Sequence, residues 1–438
     1  MTMHDEPFDR ALPALFVELA SASTPDYLEA AIERASSRPQ RPAWTYPGRW
    51  LPVDITTQAA PVARMPWRQL GMLALIGLLL AVAAVAYIGS QRTRPAPHFG
   101  LAENGAVAME RDGDIVTVDH ATGTVTPIIT GPELDRAPVY SRDGTRIGFE
   151  RSVDVSGNSV LIMIANADGT GLIQATPEPL SGLQSWTLSP DGRDLLLTTK
   201  DGGVSKLAEL DVDGSGTPSR VEISPPATLD PDAPAIFRPP DGREILVVAW
   251  PAGSATRGIY AVDPGSGTPL RTIVEPAGDS DVCGANWSPT GDTLVYCAFN
   301  PLGDGPRFRA HVVSADGTGS QLLNPGPGVA YDGSQSDWSN DGTRLVVVRG
   351  EAADGTGERV LIMSVAGDAP PVEMACEPTG ENKCADEWIW SPDDTMLLGV
   401  TSLDDGSTQY QLADPDTGQV TQTNWTGTGE PDWQRSAP

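Results

Sequence analysis

A short turn, Ser-Pro-Asp-Gly or a near variant, recurs six times between two apolar runs, and no other feature constrains the fold as tightly. The copies read YSRDGTRIGF from Tyr140, LSPDGRDLLL from Leu188, FRPPDGREILVV from Phe237, WSPTGDTLVY from Trp287, WSNDGTRLVV from Trp338 and WSPDDTMLLG from Trp390. Measured on Asp143, Asp191, Asp241, Thr290, Asp341 and Asp393, the intervals are 48, 50, 49, 51 and 52 residues. A near-constant period of about fifty residues is that of a four-stranded propeller blade. Pro sets φ near −65° and Gly accepts a positive φ, so each copy predicts a type I turn with a bulge between antiparallel strands.

A second turn family lies later in each repeat: DHATGT from Asp119, NADGTG from Asn166, DVDGSGT from Asp211, DPGSGT from Asp263, SADGTG from Ser314, VAGDAP from Val365 and DPDTGQ from Asp414. Seven of one turn and six of the other require that one repeat be split. The missing strand stands at the C-terminus, where Glu430-Pro431-Asp432-Trp433-Gln434 matches Ser336-Asp337-Trp338-Ser339 and Asp386-Glu387-Trp388 and stops before any turn. The first repeat begins instead at a second strand, Gly105 to Met109. The expected fold is all-β, a seven-bladed β-propeller over residues 100–438 whose N-terminal blade is closed by the C-terminal strand, leaving no open edge.

Leu70 to Gly89 (LGMLALIGLLLAVAAVAYIG) carries no charge, and at ~1.5 Å per residue a helix of that length spans a ~30 Å hydrocarbon core. Arg64, Arg68, Arg92 and Arg94 bracket it, and Trp67 and Tyr87 sit where interfacial aromatics do. Residues 67–91 are therefore read as one transmembrane helix. More than sixty residues precede the apolar run, which argues for an anchor rather than a cleaved signal peptide. Before it, residues 1–66 form a helical segment and linker. Leu12, Leu15, Phe16 and Leu19 share one helical face, Thr24-Pro25-Asp26 starts a second helix, and Arg41 to Leu51, with Trp44 and Trp50, is aromatic, basic and Pro-rich. Residues 92–99 (RTRPAPHF) read as a tether.

The chain has 29 Lys and Arg against 58 Asp and Glu, and 50 of those acids follow Arg94 together with 20 of the basic residues. Such a surface repels phosphate backbones, so no nucleic-acid partner is expected; basic partners or divalent cations suit it better. Arginine counts on the two sides of the helix differ by one and barely orient it. All four cysteines follow the helix, which suits an oxidising exterior: N-terminus cytoplasmic, propeller extracytoplasmic. Cys283 and Cys297 flank the WSPTG turn on strands that should pair, while Cys376 and Cys384 bracket a short loop. Disulfides are expected within each pair.

The WSPDG-type turns resemble the WD40-like repeats of the TolB-type propeller family over about residues 100 to 436, with departures at Pro240 and at Asp394, which stands in the Gly place. That resemblance implies a binding module of the cell envelope. Related propellers also serve as accessory domains of serine peptidases, which makes an accessory propeller of a hydrolase system a weaker alternative. The order of N-terminal segment, single helix and external domain looks like that of transmembrane anti-sigma factors, although residues 1–66 lack their zinc-binding motif.

Catalysis is not expected. His4, His98 and His120 lie at the terminus, in the tether and in a turn, and His311 falls in a strand (FRAHVVS) as a packed residue; no nucleophile elbow, zinc-protease or phosphate-cradling motif is present. No cofactor or metal is expected, because no acidic turn has the full oxygen-ligand run of a calcium loop. Trp287, Trp338, Trp390 and Trp433 read as blade core. The acids just before each first strand, Asp135, Asp232, Asp281, Asp337, Asp386 with Glu387, and Asp432, are taken as equivalent positions forming an acidic rim at one end of the channel, able to receive a cation or a basic segment; general surface acidity is the competing explanation. The expected function is a membrane-tethered module that binds a protein or envelope ligand. The alternative is a sensor that reports to a cytoplasmic protein through residues 1–66.

Overall fold

The computed structural model describes residues 95–437 apart from 155–156, 202–203, 213–219, 224–226, 230–233, 278–280, 300–307, 324–329, 351–358, 377–382, 386 and 404–407, together with residue 77. The helices expected at Leu12–Leu19 and after Thr24, the aromatic stretch with Trp44 and Trp50, and all of the apolar segment 70–89 but Gly77 lie outside that set. Among the described residues no helix is long and apolar enough to cross a membrane.

Seven antiparallel sheets follow one another along the chain. Blade two is typical: Leu134–Tyr140, Arg146–Ser152, Ser159–Asn166 and Ile173–Gln174 pair in sequence order, with the WSPDG-type turn joining the first two strands and the second turn family joining the last two. Blade one is the split one. Its strands Val125–Ile129, Asp114–Val118 and Glu103–Arg111 are completed by Thr428–Ser436, with Val107 opposite Trp433 and Ala108 opposite Asp432. The expected closure is therefore observed. Alternation along the strands turns apolar residues toward both flanking blades, giving seven apolar clusters, one per interface. The cluster of Val107, Met109, Leu398, Tyr410 and Trp433 joins blades seven and one, and that of Ala108, Ile115, Ile147 and Phe149 joins blades one and two. Trp287, Trp338, Trp390 and Trp433 are all buried, as read from the sequence.

The repeated turn has a common internal chemistry. In blade two, Gly144 N–H donates to the Ser141 carbonyl at 2.8 Å, the Ser141 hydroxyl donates to Asp143 Oδ1, and Thr145 closes on the same oxygen through its N–H and hydroxyl. The Ser–Asp link recurs at Ser189–Asp191, Ser339–Asp341 and Ser391–Asp393. Gly144 has φ +69°, and a Cβ there would run into the Arg435 carbonyl of the neighbouring blade. Gly144→Ala therefore combines backbone strain with steric overlap, and is expected to destabilise the fold by more than about 1 kcal/mol in urea denaturation.

Both expected disulfides are formed. Cys283–Cys297 links paired strands across a local bulge, with Cα atoms 5.2 Å apart, and Cys376–Cys384 closes its loop at 5.0 Å. The segment read as a tether is bound down from Pro95 onward: Ala96 is buried and donates its N–H to the Asp143 carbonyl, and Ala102 donates to Pro392. Residues 95–102 thus strap across blades two, one and seven at the WSPDG end of the ring.

Candidate functional site

A propeller brings residues at one register of its inner strands into a ring around the axis. At the WSPDG end this produces a cavity of about 330 Å³ lined from all seven blades. Its wall is built from three successive levels of the repeat: the residue before the motif aromatic, the aromatic position itself, and the third motif residue. At that third position four blades carry Pro (Pro190, Pro239, Pro289, Pro392), while the other three carry Arg142, Asn340 and Arg435. The three departures meet. Arg435 Nη1 donates to Asn340 Oδ1, and its Nη2 donates outward to the carbonyls of Pro97 at 3.1 Å and Gly100 at 2.6 Å in the strap.

Asp394, the residue in the Gly place of the last full motif, belongs to the same network. It takes φ +59°, as a Gly would, and its carboxylate accepts Asn340 N–H at 2.7 Å, Asn340 Nδ2 at 2.9 Å and Asp341 N–H at 2.8 Å. The turns of blades six and seven are thereby fastened by a buried carboxylate. Burial nevertheless holds the Asp394 carboxyl above its ordinary pKa. The extra Pro240 of the third copy is accommodated by a cis Pro239–Pro240 bond.

The acids singled out from the sequence do not form one rim. Asp337 and Asp432 each stand one residue before a motif Trp and line the cavity. Asp432 accepts Tyr140 N–H at 2.6 Å and Trp433 N–H at 2.8 Å, and Asp337 accepts Trp338 N–H at 2.9 Å. Asp135 and Asp281 lie at the opposite ends of their strands, roughly 13–17 Å away at ~3.3 Å per residue. Both are already neutralised. Asp135 is 1% exposed and held by Arg151 through two 2.7 Å bonds, and Asp281 is held by Arg257. Glu387 is exposed at the start of Glu387–Trp390, while Asp232 and Asp386 lie outside the described residues. A single rim would need a constant distance from the strand start, and strand lengths differ between blades: Ala330–Trp338 has nine residues and Glu387–Trp390 four.

Desolvation in the channel is the first cause that pushes both Asp337 and Asp432 up to about 6, opposed by backbone N–H donors and by Arg142. The same burial lowers the Arg142 pKa and brings Arg435 down to about 9. The groups facing the two acids are Arg142, Arg435, Asp394 and each other. A carboxyl with a raised pKa binds more protons folded than unfolded between pH ~4 and ~6, so its contribution to stability falls as pH rises through that window. Asp337→Asn combined with Asp432→Asn is expected to raise stability at pH 7.5 by on the order of 1–2 kcal/mol, with the gain vanishing near pH 4. Denaturation at several pH values reads this directly.

Other sequence candidates resolve simply. His311 stacks on Tyr296 with ring centroids 5.1 Å apart, and burial lowers its pKa. Asp119 and Asp263 use their carboxylates to cap their own turns. Among the described residues no group of three metal-ligating side chains comes together. The turn after Asp211 runs into residues 213–219, outside the described set.

No protein-family model and no curated protein matches the chain. Solved structures do. An oligogalacturonate lyase from Vibrio parahaemolyticus is 15% identical, with 73% of this chain and 86% of that chain covered and a TM-score of 0.51. A puromycin-hydrolysing peptidase from Mycobacterium tuberculosis is 18% identical at a TM-score of 0.50, covering 76% of this chain. TolB from Acinetobacter baumannii is 14% identical over 75% of this chain, at a TM-score of 0.43. The likeness is one of fold alone. The chain spans 66% of the length of that TolB and 53% of that peptidase.

Proposed function

We propose that the chain is a membrane-tethered, extracytoplasmic binding module that takes a protein or envelope ligand at the WSPDG end of its channel. The observation that carries this reading is the cavity itself: a preformed space at the axis of a closed ring, lined from seven blades, with Arg142, Arg435, Asp337 and Asp432 in its wall. The apolar run 70–89 supports the tether, and the two bonded cysteine pairs suit an oxidising compartment.

Topology is tested by two fusions after Pro438 in a bacterial host. Alkaline phosphatase, which folds outside the cytoplasm, is expected to be active, and a fluorescent protein that matures only in the cytoplasm is expected to stay dark. The reverse pattern contradicts the reading.

One observation favours the second, signalling reading: Arg435 lines the cavity and also holds the strap that continues toward residues 70–89. A ligand that moves Arg435 would pull on that strap, and residues 1–66 would report it to a cytoplasmic partner. Deleting residues 1–60 while keeping the helix and propeller discriminates the two: altered transcription with the propeller intact supports signalling, and unchanged transcription supports a simple anchor.

A further inference from the structure

Three side chains in the channel wall hold buried donors that find no acceptor among the described residues. Arg435 is 6% exposed and its Nε has no such partner; Tyr140 is 7% exposed and its hydroxyl has none; Arg142 Nε is buried and equally unpaired. Arg142 makes no side-chain hydrogen bond or ion pair among the described residues. The fourth such atom, Trp287 Nε1, is of another kind: its counterparts in Trp338 and Trp390 donate to a carbonyl of the preceding blade. An unpaired buried donor is costly enough that native interiors hold few. All three residues line the one cavity, as Trp287 does.

The charges choose among ligands. Arg142 and Arg435 offer two guanidinium groups, and Asp337 and Asp432 offer two carboxylates that accept only backbone N–H groups. A simple anion would meet the two acids, and a simple cation would meet the two arginines. A ligand carrying both signs at opposite ends satisfies both pairs. The volume, about 330 Å³, is at the small end of the range for small-molecule sites, which bounds the size to one or two amino-acid residues.

We infer that this cavity binds a small zwitterion, a free amino acid or a dipeptide, with its carboxylate on Arg142, beside the charge of Arg435, and its ammonium between Asp337 and Asp432. The inference rests on the binding-module reading and goes beyond it, from a protein or envelope ligand to a small zwitterion. Because Arg435 also grips Pro97 and Gly100, occupancy would be felt at the strap.

The test uses the full chain purified in detergent micelles at pH 7.5. The twenty amino acids and a set of dipeptides are screened by thermal shift, then titrated by calorimetry, with acetate and ethylammonium at equal concentration as single-charge controls. The expected result is a saturable rise in melting temperature with at least one zwitterion and none with either control. Arg142→Gln is expected to weaken that binding about tenfold or more, as loss of a charge-assisted contact does. Asp432→Asn, which keeps a polar group of the same shape, should weaken it too, so a misfolded Arg142 variant would not leave the proposal without a test. No shift with any zwitterion overturns the inference, and so does acetate binding as tightly as the amino acids. A chain that exports its propeller in the fusion experiment yet binds no zwitterion loses this inference alone; a propeller found in the cytoplasm removes the reading beneath it.

Discussion

Removing residues 430–438 lowers the melting temperature of the propeller by more than about 10 °C and broadens its unfolding, because the loss amounts to several kcal/mol in a domain of this size. Thr428–Ser436 is an inner strand, not a tail. Its removal strips Trp433 from the cluster shared with Met109, Leu398 and Tyr410, leaves Tyr140 N–H without the Asp432 carboxylate, and frees the strap from Arg435. It also exposes the edge of Glu103–Arg111 from Glu103 to Ala108, an unpaired strand of the sort that invites aggregation. Trp433→Ala is the point version. It should cost about 3–5 kcal/mol, as truncation of a buried aromatic does, and its Nε1 bond to the Gly105 carbonyl goes with it. Scanning calorimetry and light scattering on heating measure both consequences.

Asp394→Gly restores the repeat's own consensus and still destabilises the ring, by about 3 kcal/mol. Glycine would adopt the positive φ of Asp394 without strain, so on backbone grounds alone the change should help. It removes a carboxylate that accepts three N–H groups, however, and leaves the buried Asn340 N–H and the part-buried Asp341 N–H without that acceptor, while Asn340 Nδ2 keeps only the Ser391 carbonyl. Asp394→Asn keeps an acceptor and a residue tolerant of that φ, and is expected to lose less than half as much. The order Asp > Asn > Gly in urea denaturation identifies the inter-blade bonds, rather than the turn conformation, as what this residue contributes.

Much of the fold was legible because a propeller writes each blade as a repeat. Counting turns of two kinds gave seven blades, and the copy of Asp-Trp at 432–433 located the strand that closes the ring. The cysteine pairs were legible for a local reason: each is close in sequence and straddles a turn or loop. The site was less so. Asp337 and Asp432 share their sequence pattern with Asp135 and Asp281, which lie at the other ends of their strands and are paired with Arg151 and Arg257. Strand length and bulges set the register, and neither is visible in spacing alone; Ala330–Trp338 and Glu387–Trp390 differ by five residues for the same role. Arg142, Asn340 and Arg435 went unnoticed although a signal existed. They occupy the position where four other copies have Pro, and a ring turns departures at one motif position into neighbours. Asp394 was seen as a departure from the turn pattern, but only packing shows that it answers the one at Asn340.

Hydrogen–deuterium exchange on the full chain tests the closed ring most directly, on the peptide covering 428–436. As an inner strand bonded to Glu103–Arg111, it should be protected as strongly as Leu183–Leu188, the inner strand of blade three. Exchange within seconds, as in a free C-terminal tail, would contradict the closure and with it the cavity that Arg435 and Asp432 help to build.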